Sequence, residues 1–193
     1  MRTAADFVPD STSGHRSEIE IAAPPQEVWQ ALLHVGIGEM RASGILLGLR
    51  SLPARFTGGG SMRRPPGADR PLVEAMVAGR FVELARRPPS ILTLGIIGQF
   101  WRLRGGADVA VDGPDQFMAF DEPGYVRAAI DFAVVEGVAG SRLITETCNR
   151  ATSEDADRRF RWYWRVVGPG SKLIRLDLLR AIRRHATAGS HRY

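Results

Sequence analysis

Apolar and polar residues alternate in several stretches of the chain, with the period of two that is typical of half-buried β-strands. In the first stretch Ile19 and Ile21 share one face, and Glu18 and Glu20 share the other. Turns that contain glycine or proline separate the later stretches. Residues 72–77 also fit a helical turn. The pattern predicts strands at residues 15–21, 72–77, 80–86, 91–101, 126–135 and 142–150.

The predicted strand at residues 126–135 alternates most regularly. Its even positions are all apolar, whereas its odd positions include Arg127 and Asp131. Because neighbouring residues of a strand point to opposite faces of the sheet, one face should belong to the core and the other should be wet. We therefore expect Arg127 and Asp131 to point to solvent, too far apart along an extended chain for a close ion pair.

Apolar residues at helical spacing predict short helices between the strands. The first spans residues 25–35, where proline stands in the first turn, a position that tolerates its missing N–H group. A second spans residues 39–49. Residues 114–120 form a short helix or turn that carries Phe117 and Phe120 inward.

The longest helical signal lies near the C-terminus. Thr152 and Ser153 can each cap a helix there, because their hydroxyl groups accept bonds from its first free N–H groups. We expect the Gly-Pro-Gly sequence at residues 168–170 to interrupt this amphipathic helix, since proline removes a hydrogen bond and glycine disfavours helix. The part before the interruption should bury Phe160, Tyr163 and Trp164 against the sheet.

One domain is expected, because 193 residues with 44% hydrophobic and 24% charged residues are ordinary for one well-developed core. The polar residues 1–14 are typical of a flexible leader, residues 15–187 form the domain, and residues 188–193 form a flexible tail. The glycine- and proline-rich segment at residues 56–71 is either a lid over a site or a disordered loop.

The net charge of +5 is unevenly distributed. Ten basic residues and one acid, Asp177, follow position 157, so this part carries +9 and the first 157 residues carry −4. A general preference for arginine explains this as well as an anionic partner does. No nucleic-acid-binding motif accompanies the charge, so nucleic acid is not expected as a partner. A membrane-surface contact would use Lys172, Arg175, Arg180, Arg183 and Arg184 beside Leu173, Ile174, Leu178 and Ile182.

The numbers and spacings of cysteine and histidine limit which cellular compartment and which cofactors can be expected. Cys148 is the only cysteine, and the four histidines have no recognised metal-ligand spacing. The N-terminus contains no apolar core of signal-peptide length, and the longest apolar run, residues 91–101, is shorter than the roughly 20 residues of a membrane span. We expect a cytoplasmic protein without disulfide, metal or cofactor.

Motifs for nucleophilic catalysis, phosphate binding and dinucleotide binding are absent from the sequence. Glu146 lies in the middle of a predicted strand, on the same face as Ile144 and Cys148. An apolar cavity would raise the pKa of Glu146 and suit it to acid–base catalysis, whereas an ion pair with an arginine is the structural alternative. Tyr163 is the second candidate for proton transfer. Whether the protein is an enzyme stays open.

The order of elements is one strand, two short helices, several antiparallel strands and a long final helix. This order resembles the START-like or polyketide cyclase superfamily, also called SRPBCC, from about residue 16 to residue 186. The resemblance implies an α+β helix-grip fold, a curved antiparallel sheet wrapped around the C-terminal helix. The segments that carry it are IEIAAPPQEVWQALL, LITETCNRAT and RRFRWYWRVVGPGSKLIRLDLLRAI.

The same resemblance implies an apolar cavity between the sheet and the last helix. Members of the superfamily hold lipids, polyketides or hormones there, and some are cyclases or aromatases. We therefore expect binding of an apolar small molecule, with a cyclase or dehydratase reaction, or a membrane-surface contact through the basic helix, as the alternatives. The expected ligand-binding residues, which plain core packing would also bury, are Leu94, Phe100, Trp101, Phe132, Tyr163 and Trp164.

Overall fold

The computed structural model describes residues 2–40, 70–102, 109–138 and 140–189. Five antiparallel strands form one curved sheet in the order β1-β5-β4-β3-β2, and a long C-terminal helix packs against it. The expected α+β helix-grip architecture is therefore confirmed. The strands are β1 (Ser13–Ile21), β2 (Val82–Arg87), β3 (Ile91–Gly98), β4 (Val126–Gly137) and β5 (Gly140–Ala151). The helices are α1 (Ala4–Phe7), α2 (Pro25–His34), a 3-10 turn (Ile37–Glu39), α3 (Leu72–Ala78), α4 (Pro114–Ala119) and α5 (Glu154–Gly189).

The register of the strands decides which side chains share a face. β4 and β5 form a long hairpin in which Ile130 lies opposite Thr147. β5 also pairs with β1, where Thr147 lies opposite His15. Because directly opposed residues point to the same side, these three side chains lie on one face. We call the face toward α5 the inner face and the other the outer face.

The inner face meets α2 and the C-terminal half of α5 in a closed core. Leu94 and Phe132 of the sheet pack there with Trp29 of α2 and with Leu179 and Ile182 of α5, and all five are at most 2% exposed. Each such side chain stabilises the fold by about 1.5 to 3 kcal/mol relative to an exposed one. This core anchors the C-terminal half of α5 to the sheet.

The outer face of β4 is also covered, although that of β1 is exposed, so the expectation of a wet face for β4 is wrong. α1 and α4 lie on it, and Phe7, Ile97 and Phe117 are buried in a second core. Gly95 makes room for this packing, because a Cβ at that position would lie 2.8 Å from the ring of Phe117. Alternation along one strand cannot distinguish a face in water from a face covered by remote segments.

Arg127 and Asp131 are therefore buried, with 9% and 4% exposure, rather than in solvent. The carboxylate of Asp131 accepts hydrogen bonds of 3.0 Å from the backbone N–H groups of Ala4 and Glu146. Burial raises the pKa of Asp131. Arg127 donates to the backbone carbonyl of Met118, near the end of α4. Such hydrogen bonds are what makes a buried charge tolerable.

The N-terminal residues were expected to be a flexible leader, but Ala4–Phe7 forms α1, and Phe7 and Val8 are each 1% exposed. The carboxylate of Asp6 accepts a hydrogen bond from the backbone N–H of Thr3 and so helps to begin the helix. A segment this short shows no periodicity, and its partners lie on β4 and β5, far away in the sequence. The pattern of the leader alone therefore could not reveal this packing.

α5 continues through its Gly-Pro-Gly sequence, so the expected interruption is wrong. Pro169 lies on the solvent side, where the carbonyl group of Arg165 that lacks an N–H partner can bond to water. Ser153 begins the helix, because its hydroxyl accepts a 3.3 Å bond from the N–H of Ala156. The cost of the proline is low where the chain is already exposed.

Further expectations concern the segment between α2 and β2. For residues 72–77 the helical alternative is right, because they lie in α3. The predicted helix at residues 39–49 lies outside the described residues from position 41, and the predicted loop at residues 56–71 does so up to position 69. In the part of the chain that the structure describes, no helix has the length and hydropathy of a membrane span.

Candidate ligand-binding site

A cavity of about 210 Å³ lies between the inner face of the sheet and α5. Three neighbouring strands form one wall, through Ile96 of β3, Ala128 and Ile130 of β4, and Thr147 and Asn149 of β5. This volume is below the roughly 300–1,000 Å³ of sites for drug-sized molecules. The cavity therefore suits a small ligand.

The opposite wall is a cluster of aromatic side chains. Phe160, Tyr163 and Trp164 lie on the helix face that meets the sheet, where the spacing of the stripe predicts them. Phe160 is buried, and Tyr163 and Trp164 are half-buried. The ring of Phe160 lies 5.5 Å from that of Trp164 and 6.1 Å from that of Phe100, within the range of favourable aromatic contacts.

The cavity exists because small residues face each other across it. Ala128 lines the sheet side and Ser171 lines the helix side. Gly168 is buried one turn before Ser171, and the indole of Trp164 lies about 3.5 Å from where a Cβ of Gly168 would be. Further along α5, where the core is closed, the helix residues that face the sheet are leucine and isoleucine. A helix of uniform side-chain size would leave no such space.

A buried cation borders the cavity. Arg175 is 6% exposed and donates hydrogen bonds to the backbone carbonyl of His15 and, over 2.7 Å, to Oγ1 of Thr147. Burial lowers the pKa of Arg175 from its ordinary value. The imidazole of His15 stacks on Trp164 at 5.6 Å, and its pKa is lowered by burial and then by the charges of Arg175 and Lys172.

The predicted site residues fall into two groups. Leu94 and Phe132 lie in the closed core instead of the cavity. Trp101 is half-buried and is not among the described residues that line the cavity. The strand alternation puts Leu94 and Phe132 on the correct face but does not say where along that face the helix stands away from it. The predicted residues that line the cavity are Phe100, Tyr163 and Trp164.

The two candidates for acid–base chemistry also separate. Glu146 lies opposite Asp131 and therefore on the outer face, away from the cavity. Its carboxylate is 3.9 Å from the guanidinium of Arg16, the ion pair named above as the structural alternative. Tyr163 lines the cavity. Of the two, only Tyr163 could reach a molecule in the cavity.

Sequence reasoning missed the polar end of the cavity, which consists of Thr147, Asn149, Ser171 and Arg175. A signal for Arg175 was present, because it lies four residues after Ser171 and four before Leu179, on the buried stripe of α5. Helix periodicity separates Arg175 from the other basic residues, which are its neighbours only along the chain. The polar residues of β5 require the register, which the sequence does not reveal.

Helix periodicity places the residues of the basic C-terminal segment on two sides of α5, one buried and one exposed. Arg175, Leu178 and Ile182 face inward, so they cannot contact a membrane surface as one expectation had it. One apolar residue of the expected set, Leu173, is exposed and belongs to an apolar set on α5 with exposures of 70%, 78% and 55%. This set consists of Trp162, Val166 and Leu173.

A larger open cleft of about 830 Å³ lies between α2 and the end of α5. Charged or polar surface side chains such as Gln30, Glu39 and Arg184 border it, and the carboxylate of Glu39 is already 3.3 Å from the imidazole of His185. It does not reach the sheet. We consider the smaller cavity the better site, because aromatic side chains line it and a buried charge borders it.

No protein-family model matches the chain, and no curated protein does so. Solved structures of similar architecture include protein MLL2253 from Mesorhizobium loti, at 16% identity over 89% of this chain and 98% of that one, with a TM-score of 0.40. A conserved protein from Geobacillus kaustophilus is 13% identical over 91% and 96%, with a TM-score of 0.42. The Zhui aromatase/cyclase from Streptomyces sp. R1128 is 13% identical over 91% and 93%, with a TM-score of 0.31.

These TM-scores are too low to carry an argument about function. The class of the protein follows instead from its own strand order and from the packing of α5 against the sheet. It is a helix-grip protein, in agreement with the START-like or polyketide cyclase resemblance of its sequence.

Proposed function

We propose that the protein binds a small, mainly apolar molecule in the cavity between the sheet and α5. The observation that carries the proposal is the lining, in which Ile96, Ile130, Phe100, Phe160 and Trp164 border one space. Each methylene group buried there contributes about 0.8 kcal/mol. Eight of them contribute about 6 kcal/mol, which before the cost of association corresponds to a Kd of tens of micromolar, so we expect affinities in the high micromolar to millimolar range.

A small, neutral, environment-sensitive dye such as 1-aminoanthracene tests this proposal, because it is smaller than a drug-sized molecule and its binding does not depend on a charge in the site. Ala128→Leu adds a larger side chain inside the cavity and should abolish dye binding. Ala133→Leu is the matched control, since it changes the same residue type on the same strand, on the outer face. Absence of dye binding by the wild type, together with no excess mass in native mass spectrometry, would refute the proposal.

A cyclase or dehydratase reaction in the same cavity is the alternative. It would depend on Tyr163, since Glu146 is on the outer face. The test is to incubate the protein with linear polyketide analogues and to compare Tyr163→Phe with the wild type. Turnover that Tyr163→Phe abolishes while dye binding persists would favour the enzyme. Dye binding without turnover by the wild type favours the binding protein.

A second function, contact with an anionic membrane surface, is favoured by the exposed apolar residues of α5. Trp162, Val166 and Leu173 recur at helical spacing, and the exposed Arg161 and Arg165 lie beside them. Co-sedimentation with anionic vesicles should be lost at high salt and weakened by Trp162→Ser. Val77→Ser, which changes an exposed apolar residue of α3, is the control. Equal binding to neutral vesicles would contradict an electrostatic contact.

A further inference from the structure

We infer that the ligand of this cavity carries an anionic head group, a carboxylate or a phosphate, that binds the guanidinium group of Arg175. The inference rests on the proposed function, because it names the class of molecule that the same cavity holds. It follows from the burial of Arg175, from its partners and from the distribution of polar side chains in the cavity.

Arg175 is buried with unused hydrogen-bonding capacity. Its bonds to other described residues are those to the carbonyl group of His15 and to the hydroxyl group of Thr147. A guanidinium group has more N–H groups than these two bonds use. The group borders the cavity, so the remaining donors can reach a molecule inside it.

Arg175 also lacks a neighbouring negative charge. Within the described residues no carboxylate lies at ion-pair distance from it, although a buried charge is normally paired. The carboxylates that stabilise its charge at longer range are those of Asp131 and Glu146, on the outer face. Asp131 is bound to backbone N–H groups, and Glu146 lies 3.9 Å from Arg16. Among the described residues, the inner face therefore provides no counter-charge for Arg175.

The cavity is polar at one end and apolar at the other. Thr147 and Asn149 of β5 and Arg175 mark the polar end, whereas Ile96 of β3 and Met76 of α3 mark the apolar end. β4 separates β5 from β3, and neighbouring strands are about 4.8 Å apart, so the two ends are about 10 Å apart. This arrangement fits a short amphipathic molecule with its head group at β5 and its apolar part toward β3.

An anion fits the polar end better than a neutral head group does. The planar fork of a guanidinium matches the two oxygens of a carboxylate or phosphate, and such charge-assisted bonds are stronger than neutral ones. A hydroxyl or ester group would accept a bond but would leave the buried charge uncompensated. Ser171, one turn before Arg175 on α5, provides a further hydroxyl group at this end.

Displacement of the neutral dye by three eight-carbon molecules tests the inference. At pH 8 octanoate and octyl phosphate are anions and 1-octanol is neutral, and all three contain eight carbon atoms. We expect octanoate or octyl phosphate to bind the wild type at least tenfold more tightly than 1-octanol, a difference of about 1.4 kcal/mol. The order of the two anions tells whether a carboxylate or a phosphate is preferred.

Arg175→Met should remove this preference while 1-octanol still displaces the dye, because methionine keeps the apolar stem and loses the charge. Lys172→Met is the matched control, since it removes a positive charge from the exposed side of the same helix and should retain the preference. Arg175→Lys retains the positive charge but loses the planar guanidinium group, so it should retain only part of the preference for an anion.

The outcomes separate the inference from the proposed function. If the dye does not bind the wild type, the proposed function fails. If the dye binds and 1-octanol competes as well as both anions, the proposed function stands and the anionic head group is refuted. Arg175 also connects α5 to β1 and β5, so Arg175→Met can fail to fold. In that case the ratio between anion and alcohol in the wild type decides.

Discussion

The outer and inner faces of the sheet both bury a charged side chain, but they surround it differently. On the outer face both carboxylate oxygens of Asp131 accept backbone hydrogen bonds, and α1 and α4 fill the space above the strands. On the inner face Arg175 bonds to one carbonyl and one hydroxyl group and borders a cavity. A buried charge with complete partners and no space beside it indicates a structural role, whereas spare donors beside a space indicate a ligand.

The inner face itself has two parts. Near α2 the sheet and the C-terminal half of α5 meet in a closed core of leucine, isoleucine and aromatic side chains. Near the start of α5 small residues leave the cavity open, and Tyr163 and Trp164 are only half-buried. The closed part should therefore dominate stability, and the open part should dominate binding.

The largest effect on stability is expected from Phe132→Ala in the closed core. Phe132 is 1% exposed, and truncation of a fully buried phenylalanine costs about 3 to 5 kcal/mol. Chemical denaturation measures the free energy of unfolding. Folded Phe132→Ala protein should still bind the dye, because Phe132 does not line the cavity. A loss below 1 kcal/mol would mean that this core is not closed.

Asp131→Ala should cost about 2 to 3 kcal/mol, because it removes two hydrogen bonds to a charged acceptor and leaves buried N–H groups without a partner. Hydrogen exchange should increase in α1, whose first residue donates one of these bonds. Dye affinity should not change, since the residue lies on the outer face. Unchanged exchange in α1 would contradict the anchoring role of the carboxylate.

Trp164→Ala should cost about 1 to 2 kcal/mol, less than the 3 to 5 kcal/mol that a fully buried tryptophan would give, because Trp164 is half-buried. Its effect on dye binding should be larger than that of Phe132→Ala, since its ring lines the cavity. Denaturation and dye titration of both variants test this reversal of order. If Phe132→Ala had the larger effect in both assays, the division of the inner face into a closed core and a cavity would be contradicted.

The smallest effect concerns pH. Burial, followed by the charges of Arg175 and Lys172, lowers the pKa of His15 below its usual value of about 6.5. The folded state therefore binds this proton less readily than the unfolded state does. Stability should be highest above pH 6.5 or so, fall as the pH drops through the unfolded-state pKa, and level off below the folded-state pKa. Denaturation of the wild type and of His15→Gln across pH 5 to 8 or so isolates this contribution, and parallel curves would refute it.

Much of the secondary structure follows from local patterns. The alternation of β4 and the aromatic stripe of α5 depend only on the period of a strand or helix, so the sequence alone predicts these elements and the faces they present. The helical spacing places Tyr163 and Trp164 on the inward side of α5, and the family resemblance implied a cavity there that Phe100 also lines. The order of the elements follows in the same way, and its resemblance to the START-like superfamily implied the helix-grip fold.

The sequence by itself therefore determined most of the elements, their order and the apolar side of each. The tertiary structure decided which faces are covered, because the segment of α1 is too short to show a pattern and the pattern of α4 does not reveal which face of the sheet it covers. It also decided that α5 continues through Pro169, because the position is exposed there. Finally, it decided that Arg175 meets Thr147 and His15 beside a cavity, since that depends on strand register and on small residues facing each other across two elements far apart in sequence.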